Sequence, residues 1–232
     1  MKEAYVEATL EGGTEIYRVD APFNVALVAL GRKGIKTPIA TSQLTDARMK
    51  FDRTDSLNQF GSYNAEGFVY AKGAEGMLTR VSPLVEKRGL AKLAVEANRN
   101  NKYFTTKDKN LYDEKRAIAE ADKDKSPSER GAIVLPSRDN FSVSVRKNAE
   151  LGEFIFGENF GEYLRKFGLK EIIVYLVDSL EVDSKNGTLL TQAWLRRVGY
   201  YSNFVGFSRY LYYYDAVRGV RAPAGASGEA SA

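Results

Sequence analysis

The sequence predicts an α+β protein that combines a mixed or antiparallel sheet with a few helices. Its 232 residues are 44% hydrophobic and 28% charged, proportions typical of a globular protein rather than a disordered chain. Strand-like and helix-like stretches follow one another without a regular βαβ rhythm, which favours α+β over α/β. Glycine and asparagine turns separate several short apolar stretches, a pattern typical of hairpins.

The N-terminal half contains two predicted hairpins and four predicted helices. Alternating apolar and polar residues predict strands. Helical spacing predicts helices, most clearly after Ser82-Pro83, a cap followed by proline at the first helical position. The predicted strands are residues 4–10, 15–19, 67–71 and 77–81, with Gly12-Gly13 as the first turn. The predicted helices are residues 22–30, 42–51, 83–97 and 109–122, although residues 25–28 would also suit a buried strand.

In the C-terminal half, residues 171–177 form the most apolar predicted strand, which we expect at the centre of the sheet. Asn186-Gly187 has the sequence of a tight hairpin turn, so residues 188–197 are predicted to return as the next strand. The other predicted elements are strands at 132–135, 141–145 and 217–221 and a helix at 158–167 that ends at Gly168.

We expect a single α+β domain over residues 1–221, followed by a disordered tail at residues 222–232. The tail is rich in alanine, glycine and serine and has no apolar anchor. The charged stretch at residues 121–130 lacks core residues and predicts an exposed loop. This loop is the one place where the domain could divide into two.

The composition argues against most catalytic chemistry. The chain has no cysteine and no histidine, which excludes disulfides, thiolate zinc sites and histidine general bases. Asp178, Glu181 and Asp183 lie with Lys185 at the predicted hairpin turn, where such residues favour solubility. A metal-dependent nuclease would instead place its acids within a strand. We therefore expect no enzyme activity, no metal ion and no cofactor.

The surface charge is nearly balanced. There are 34 lysines and arginines against 30 acidic residues, a formal net charge of +4, which is less than a dedicated nucleic-acid binder usually carries. No apolar stretch approaches the roughly 20 residues that a membrane span needs, and no signal peptide precedes the first strand. We expect a protein without membrane association that is cytoplasmic or carried in a virion.

The most informative feature is a tyrosine-rich segment, residues 200–216, which holds six of the fourteen tyrosines. Tyr212, Tyr213 and Tyr214 are consecutive, so they cannot all face one core in a strand or a helix. Some of these rings must be exposed, and contiguous exposed aromatic surface usually marks a binding site. The segment also lacks Lys, Glu, Gln, Met and Trp, and each of its residues can be encoded by a codon that ends in cytosine. Randomising AAC codons at their adenines produces such a set of residue types.

With its flanks, this segment resembles the variable proteins of diversity-generating retroelements, which commonly use a C-type-lectin-like fold related to formylglycine-generating enzymes. The resemblance covers about residues 194–221. It rests on Trp194-Leu195-Arg196 before the segment and on Val217-Arg218-Gly219-Val220-Arg221 as the closing strand. It implies a rigid scaffold, with the N-terminal strand near the closing strand. The implied scaffold residues are Trp194, Gly199, Gly206, Arg209, Leu211, Arg218, Gly219 and Arg221.

The resemblance further implies a hypervariable surface that binds an unidentified protein or cell-surface ligand, as a paratope does. It does not imply calcium-dependent sugar binding. The implied ligand-binding residues are Tyr200, Tyr201, Asn203, Phe204, Val205, Phe207, Tyr210, Tyr212, Tyr213, Tyr214 and Asp215. The alternative is a basic nucleic-acid-binding protein, because arginines among aromatic rings are typical of surfaces that bind single strands. Those arginines are Arg196, Arg197, Arg209, Arg218 and Arg221.

Overall fold

The computed structural model describes residues 2–108, 110–198, 203–206 and 210–223. The strands are β1 (Tyr5–Thr9), β2 (Glu15–Asp20), β3 (Ser62–Tyr70), β4 (Met77–Thr79), β5 (Phe104–Thr106), β6 (Ala132–Val134), β7 (Phe141–Val143), β8 (Ile172–Tyr175), β9 (Thr188–Leu195), β10 (Asn203–Val205) and β11 (Ala216–Arg221). The helices are α1 (Phe23–Arg32), α2 (Thr41–Lys50), α3 (Ser56–Gln59), α4 (Pro83–Glu86), α5 (Arg88–Arg99), α6 (Asn110–Ala121), α7 (Ala149–Phe156), α8 (Phe160–Phe167) and α9 (Ser179–Asp183), with a 3-10 turn at Pro127–Glu129.

Strands from both ends of the chain lie next to each other in one sheet, which has eleven strands among the described residues. Its main path runs β1-β2-β11-β3-β9-β10-β8-β7, with β4 and β6 extending from β3 and with β5 beside β9. Strands β2 and β11 are antiparallel, in a register that runs from Glu15 opposite Arg221 to Asp20 opposite Ala216. The predicted closeness of the N-terminal and closing strands is therefore confirmed.

Both hairpins predicted in the N-terminal half are present. Strand β1 pairs antiparallel with β2, with Tyr5 opposite Arg18. Strand β3 pairs antiparallel with β4, with Phe68 opposite Leu78. In each case a short glycine-containing turn joins two strands that are neighbours in the sequence, the arrangement in which local patterns are most informative.

The predicted helices are also present, with one break. The Ser82 hydroxyl accepts a hydrogen bond from the Leu84 amide at 3.2 Å, which satisfies one of the free amides of the first turn of α4. The helix predicted over residues 83–97 is interrupted at Lys87, which separates α4 from α5. Residues 25–28 belong to α1 and are helical.

Two predictions for the C-terminal half are wrong. Strand β8 is not central, because it lies one position from the end of the main path, between β10 and β7. Asn186-Gly187 does not join a hairpin, because α9 follows β8 and β10 separates β8 from β9 in the sheet. Strand β9 pairs instead with β3, and every residue of β3 is buried.

Two apolar clusters form the core. One includes the aromatic side chains of α7 and α8, where the Phe156 ring meets the Phe204 ring of β10 edge to face at 6.1 Å. The other packs α1 and α5 against the sheet and includes Tyr63 and Leu211. The candidate site lies over this second cluster. No described helix has both the length and the apolar composition needed to cross a bilayer.

Candidate ligand-binding surface

Residues 210–215, which we call the tyrosine loop, are fastened to the core through Leu211. The Leu211 side chain is 1% exposed. Its amide donates a hydrogen bond to Asn98 Oδ1 at 3.3 Å, and its carbonyl accepts one from the Phe23 amide at 2.8 Å. Because Asn98 lies on α5 and Phe23 begins α1, the loop is held by two helices of the second cluster.

The rings around this anchor face solvent and contact one another. Tyr210, Tyr213 and Tyr214 are 52%, 50% and 65% exposed. The Tyr213 ring lies 5.5 Å from the Tyr210 ring and stacks on Tyr212 at 4.4 Å. Tyr212 is half-buried. Its hydrogen bond with Tyr213 raises its pKa, and burial raises the pKa further. Such contacts restrict the motion of the rings, and a surface ordered in advance loses less entropy if it binds a ligand.

An open depression of about 480 Å³ lies beside the tyrosine loop. Sheet pairing builds its floor, because β3 and β9 place Tyr63 opposite Trp194 and β11 places Val217 opposite Tyr63. We call it the aromatic depression, and its lining consists of Tyr63, Trp194, Tyr210, Tyr213, Tyr214 and Asp215. Residues far apart in the sequence therefore meet under the loop.

Trp194, the single tryptophan of the chain, is positioned by close contact with Gly61. A Cβ atom at Gly61 would lie 2.6 Å from Cζ2 of the indole, so any side chain there would displace the ring. The indole lies 6.3 Å from the Tyr63 ring, which contacts the Phe23 ring edge to face at 5.6 Å. Aromatic pairs at these distances stabilise each other beyond the area that they bury.

Charged groups surround the aromatic depression. Burial raises the pKa of the Asp215 carboxyl, and the nearby negative charge of Asp20 raises it further. The Lys2 ammonium lies 5.3 Å from the centre of the Tyr214 ring, and the Arg196 guanidinium lies 5.6 Å from the Trp194 ring. The depression therefore combines a carboxylate with ring faces that cations of this chain already contact.

The scaffold residue Arg218 holds the N-terminal hairpin to the closing strand. Its guanidinium is fully buried and bonds both carboxylate oxygens of Glu7, at 2.5 and 2.9 Å. A further bond reaches the Gly61 carbonyl at 2.9 Å. Burial opposes ionisation of Glu7, but the hydrogen bond and charge of Arg218 outweigh it, so the pKa of Glu7 is lowered. Because Gly61 also supports Trp194, this pair stabilises the floor of the aromatic depression.

Other predicted scaffold residues have packing roles. A Cβ atom at Gly206 would lie 2.7 Å from the Phe68 ring. Gly219 is equally crowded, because a Cβ atom there would lie 2.6 Å from a core side chain. Arg221 forms a partly exposed ion pair with Glu15 of the neighbouring strand. These contacts explain why glycine and arginine stand at these positions.

Three predicted ligand-binding residues are not on the surface, so the prediction that they are displayed is wrong. Asn203, Phe204 and Val205 are 7%, 0% and 3% exposed. They form β10, which is buried because it fits between β8 and β9. The predicted residues Gly199, Tyr200, Tyr201, Phe207 and Arg209 lie outside the described part of the chain.

The acidic residues after β8 do not converge on a common point. Asp183 pairs with Arg138 at 2.6 Å, and Glu181 pairs with Lys185 at 2.6 Å. Within the described ranges, no group of three or more potential metal ligands is close enough to hold an ion. These acids therefore act as partners of nearby cations.

Sequence reasoning missed Tyr63 and Asp20 as parts of the site. Tyr63 reaches the aromatic depression through the register of β3 with β9, and Asp20 through the register of β2 with β11. Neither residue has a local motif. The one signal that could have pointed to Tyr63 is Gly61, which comes just before β3, because a glycine next to a strand can mark the close approach of another group.

Comparisons with known proteins identify the fold. No known protein family matches the chain, and no curated protein matches it. Among solved structures, it is similar to a Nanoarchaeota protein whose C-type lectin fold accommodates massive sequence variation. The TM-score is 0.57 at 14% sequence identity, covering 92% of this chain and 99% of that one. The chain has an α+β C-type lectin fold, as the sequence predicted.

Proposed function

We propose that this protein is a hypervariable ligand-binding protein whose tyrosine loop and aromatic depression contact a protein or cell-surface ligand. The observation that carries the proposal is the division of roles within the loop. Leu211 is buried and held by two backbone hydrogen bonds, whereas Tyr210, Tyr213 and Tyr214 are at least half exposed. A loop with this division can change its exposed side chains while its backbone stays in place.

The chemistry of the surface favours a protein ligand. Tyrosine provides a large contact area with a polar end and has few rotatable bonds to immobilise, which is why it is common in binding loops. The aromatic depression beside the loop offers the concave apolar site that a ligand side chain needs as an anchor. Binding without catalysis is part of the proposal, because no histidine or cysteine is present to act as base or nucleophile.

A diversity-generating retroelement is the proposed source of the variation. Two sequence features support this source. Every residue of 200–216 can be encoded by a codon that ends in cytosine, and the segment is flanked by Trp194 and the closing strand. The structural neighbour supports the choice of scaffold, since its C-type lectin fold accommodates massive sequence variation. We propose that this chain uses the fold in the same way.

Ion pairing weakens the nucleic-acid alternative. Arg218 is buried against Glu7, and Arg221 pairs with Glu15, so their charges are already compensated within the protein. A nucleic-acid interface would bind a single-stranded oligonucleotide at low salt and lose affinity steeply as salt rises. We expect little binding at either salt concentration, and a steep salt dependence would favour the alternative.

Sequencing the gene and its genomic surroundings in the source population tests the proposal. We expect a near-copy of the codons for residues 195–221, with adenines at the variable positions, close to a reverse transcriptase gene. Among individual genomes, substitutions should concentrate at Tyr210, Tyr213 and Tyr214 and spare Leu211. Lack of a near-copy, combined with substitutions spread evenly over these codons, would contradict the proposal.

A further inference from the structure

The aromatic depression contains a carboxylate that has no compensating partner in the described part of the chain. Asp215 is half-buried in its wall, and among the residues that the structure describes none forms an ion pair or hydrogen bond with its side chain. The charge of Asp20 lies close enough to act on Asp215, although Asp20 itself pairs with Arg18 at 2.9 Å. Among the described residues that line the depression, Asp215 is therefore the acidic group that a ligand meets.

The walls of the depression are suited to the same kind of ligand. Aromatic faces attract cations through the ring quadrupole, most strongly where water is excluded. Two cations of the chain already use these rings, since Lys2 contacts the Tyr214 face and Arg196 contacts the Trp194 face. Aromatic surfaces recognise organic ammonium groups, and Asp215 adds a carboxylate at the wall.

We propose that the aromatic depression binds the ammonium side chain of a lysine on the protein ligand, with Asp215 as the counter-charge. This inference rests on the proposed function and names the chemistry of its central contact. The lysine stem would lie along the exposed tyrosine rings, and the ammonium would reach the carboxylate at the wall. Lys2 is exposed, so it acts as a competing cation that the ligand displaces from Tyr214.

Fluorescence of Trp194 tests the proposal directly, because Trp194 is the single tryptophan and lines the depression. The probe is N-acetyl-lysine methylamide, and the matched neutral probe is the same compound acetylated on Nζ. Both are titrated into the intact protein at constant ionic strength. We expect a saturable change in emission with the cationic probe and none, or a much weaker one, with the neutral probe. An equal response to the two probes would overturn the proposal.

Two variants and a control assign the effect to named residues. Asp215→Asn should weaken binding of the cationic probe about tenfold, because a hydrogen bond to a charged group is replaced by one to a neutral group. Lys2→Gln should tighten binding about two- to fivefold, since a cation–π competitor is removed. Asp124→Asn removes the same charge at an exposed position of the 121–130 loop and should change nothing. Unaltered affinity in Asp215→Asn would overturn the proposal.

The failure of this inference can be distinguished from failure of the proposed function. If the codons vary as expected but the cationic probe does not bind, the result supports the variable surface and refutes the ammonium site. If the probe binds through Asp215 but the codons do not vary, the site stands as a fixed binding pocket. Thermal unfolding of each variant establishes that lost binding is not lost structure.

Discussion

Replacing Glu7 by glutamine should destabilise the protein far more than the same change at an exposed ion pair. The Glu7 side chain is 3% exposed and bonds Arg218, which is 0% exposed. Glu7 also bonds Arg18 at 3.0 Å and accepts the Ser56 hydroxyl at 2.8 Å. Glu7→Gln keeps the shape and removes the charge, so it leaves the Arg218 guanidinium buried without its counter-charge.

The magnitude follows from what remains around Arg218. Removing one partner of a buried ion pair typically costs about 3–5 kcal/mol. Arg218 keeps its bond to the Gly61 carbonyl, and glutamine still offers one oxygen, so we expect the lower end, about 3 kcal/mol. For a chain of this length that corresponds to a fall in Tm of about 6–12 °C. Urea unfolding followed by circular dichroism would measure the change in free energy.

Glu15→Gln is the matched control, because Glu15 pairs with Arg221 at the exposed end of β2 and β11. Exposed pairs contribute little, so this variant should unfold close to the wild type. The pKa of Glu7 is lowered from its usual 4.5, so its contribution is present above that pH and is lost as pH falls through the folded value. The difference between wild type and Glu7→Gln should therefore shrink in acid. Equal destabilisation by the two variants would refute the reasoning.

Three further predictions concern local packing and are measured by urea unfolding. Leu211→Ala should cost about 2–5 kcal/mol, because it leaves a cavity under the loop, whereas Tyr213→Ala should stay within about 0.5 kcal/mol of wild type; equal losses would contradict the anchor role. Gly206→Ala should cost about 1–3 kcal/mol, since its new methyl group meets the Phe68 ring. Ser82→Ala should cost about 1 kcal/mol through loss of the helix cap, and a neutral effect would show that the cap is not needed.

Elements formed by sequence neighbours could be predicted from the sequence. The β1–β2 and β3–β4 hairpins and the Ser82 cap depend on residues a few positions apart, where alternation, turn glycines and capping side chains act directly. The closing strand was also found, through the resemblance of its Gly219-Val220-Arg221 sequence. These are features whose cause lies within the segment itself.

The order of the central strands could not be predicted, because the most apolar predicted strand is not the central one. Strand β8 is more apolar than β3, yet β3 is central and buries polar residues. The Glu66 carboxylate accepts a hydrogen bond from the Thr41 amide at 2.9 Å and so caps α2 from inside the protein. Burial raises the pKa of Glu66. Buried polar groups are tolerated where they are hydrogen-bonded. That partner lies 25 positions away in sequence, and no local pattern reveals it.

The tyrosine-rich segment was predicted correctly in part. Consecutive tyrosines predicted exposed rings, and two of the three, Tyr213 and Tyr214, are exposed. The same argument did not distinguish Phe204 from the exposed residues. Phe204 also has a codon that can end in cytosine, but its ring contacts Phe156 of α7 in the core, and its strand pairs with β9. Exposure at each position depends on strand pairing with distant residues, so the floor formed by Tyr63 and Trp194 also went unrecognised as a unit.

The energetics of the fold limit which residues of the segment can vary. A domain is stable by about 5–15 kcal/mol. Replacing the three exposed tyrosines together changes that by about 1.5 kcal/mol at most, if each change stays near 0.5 kcal/mol. Truncating Leu211 alone removes about 2–5 kcal/mol. Variation should therefore follow exposure rather than codon type. Phe204 and its neighbours in β10 should stay constant because they are buried, while the exposed tyrosines of the tyrosine loop vary.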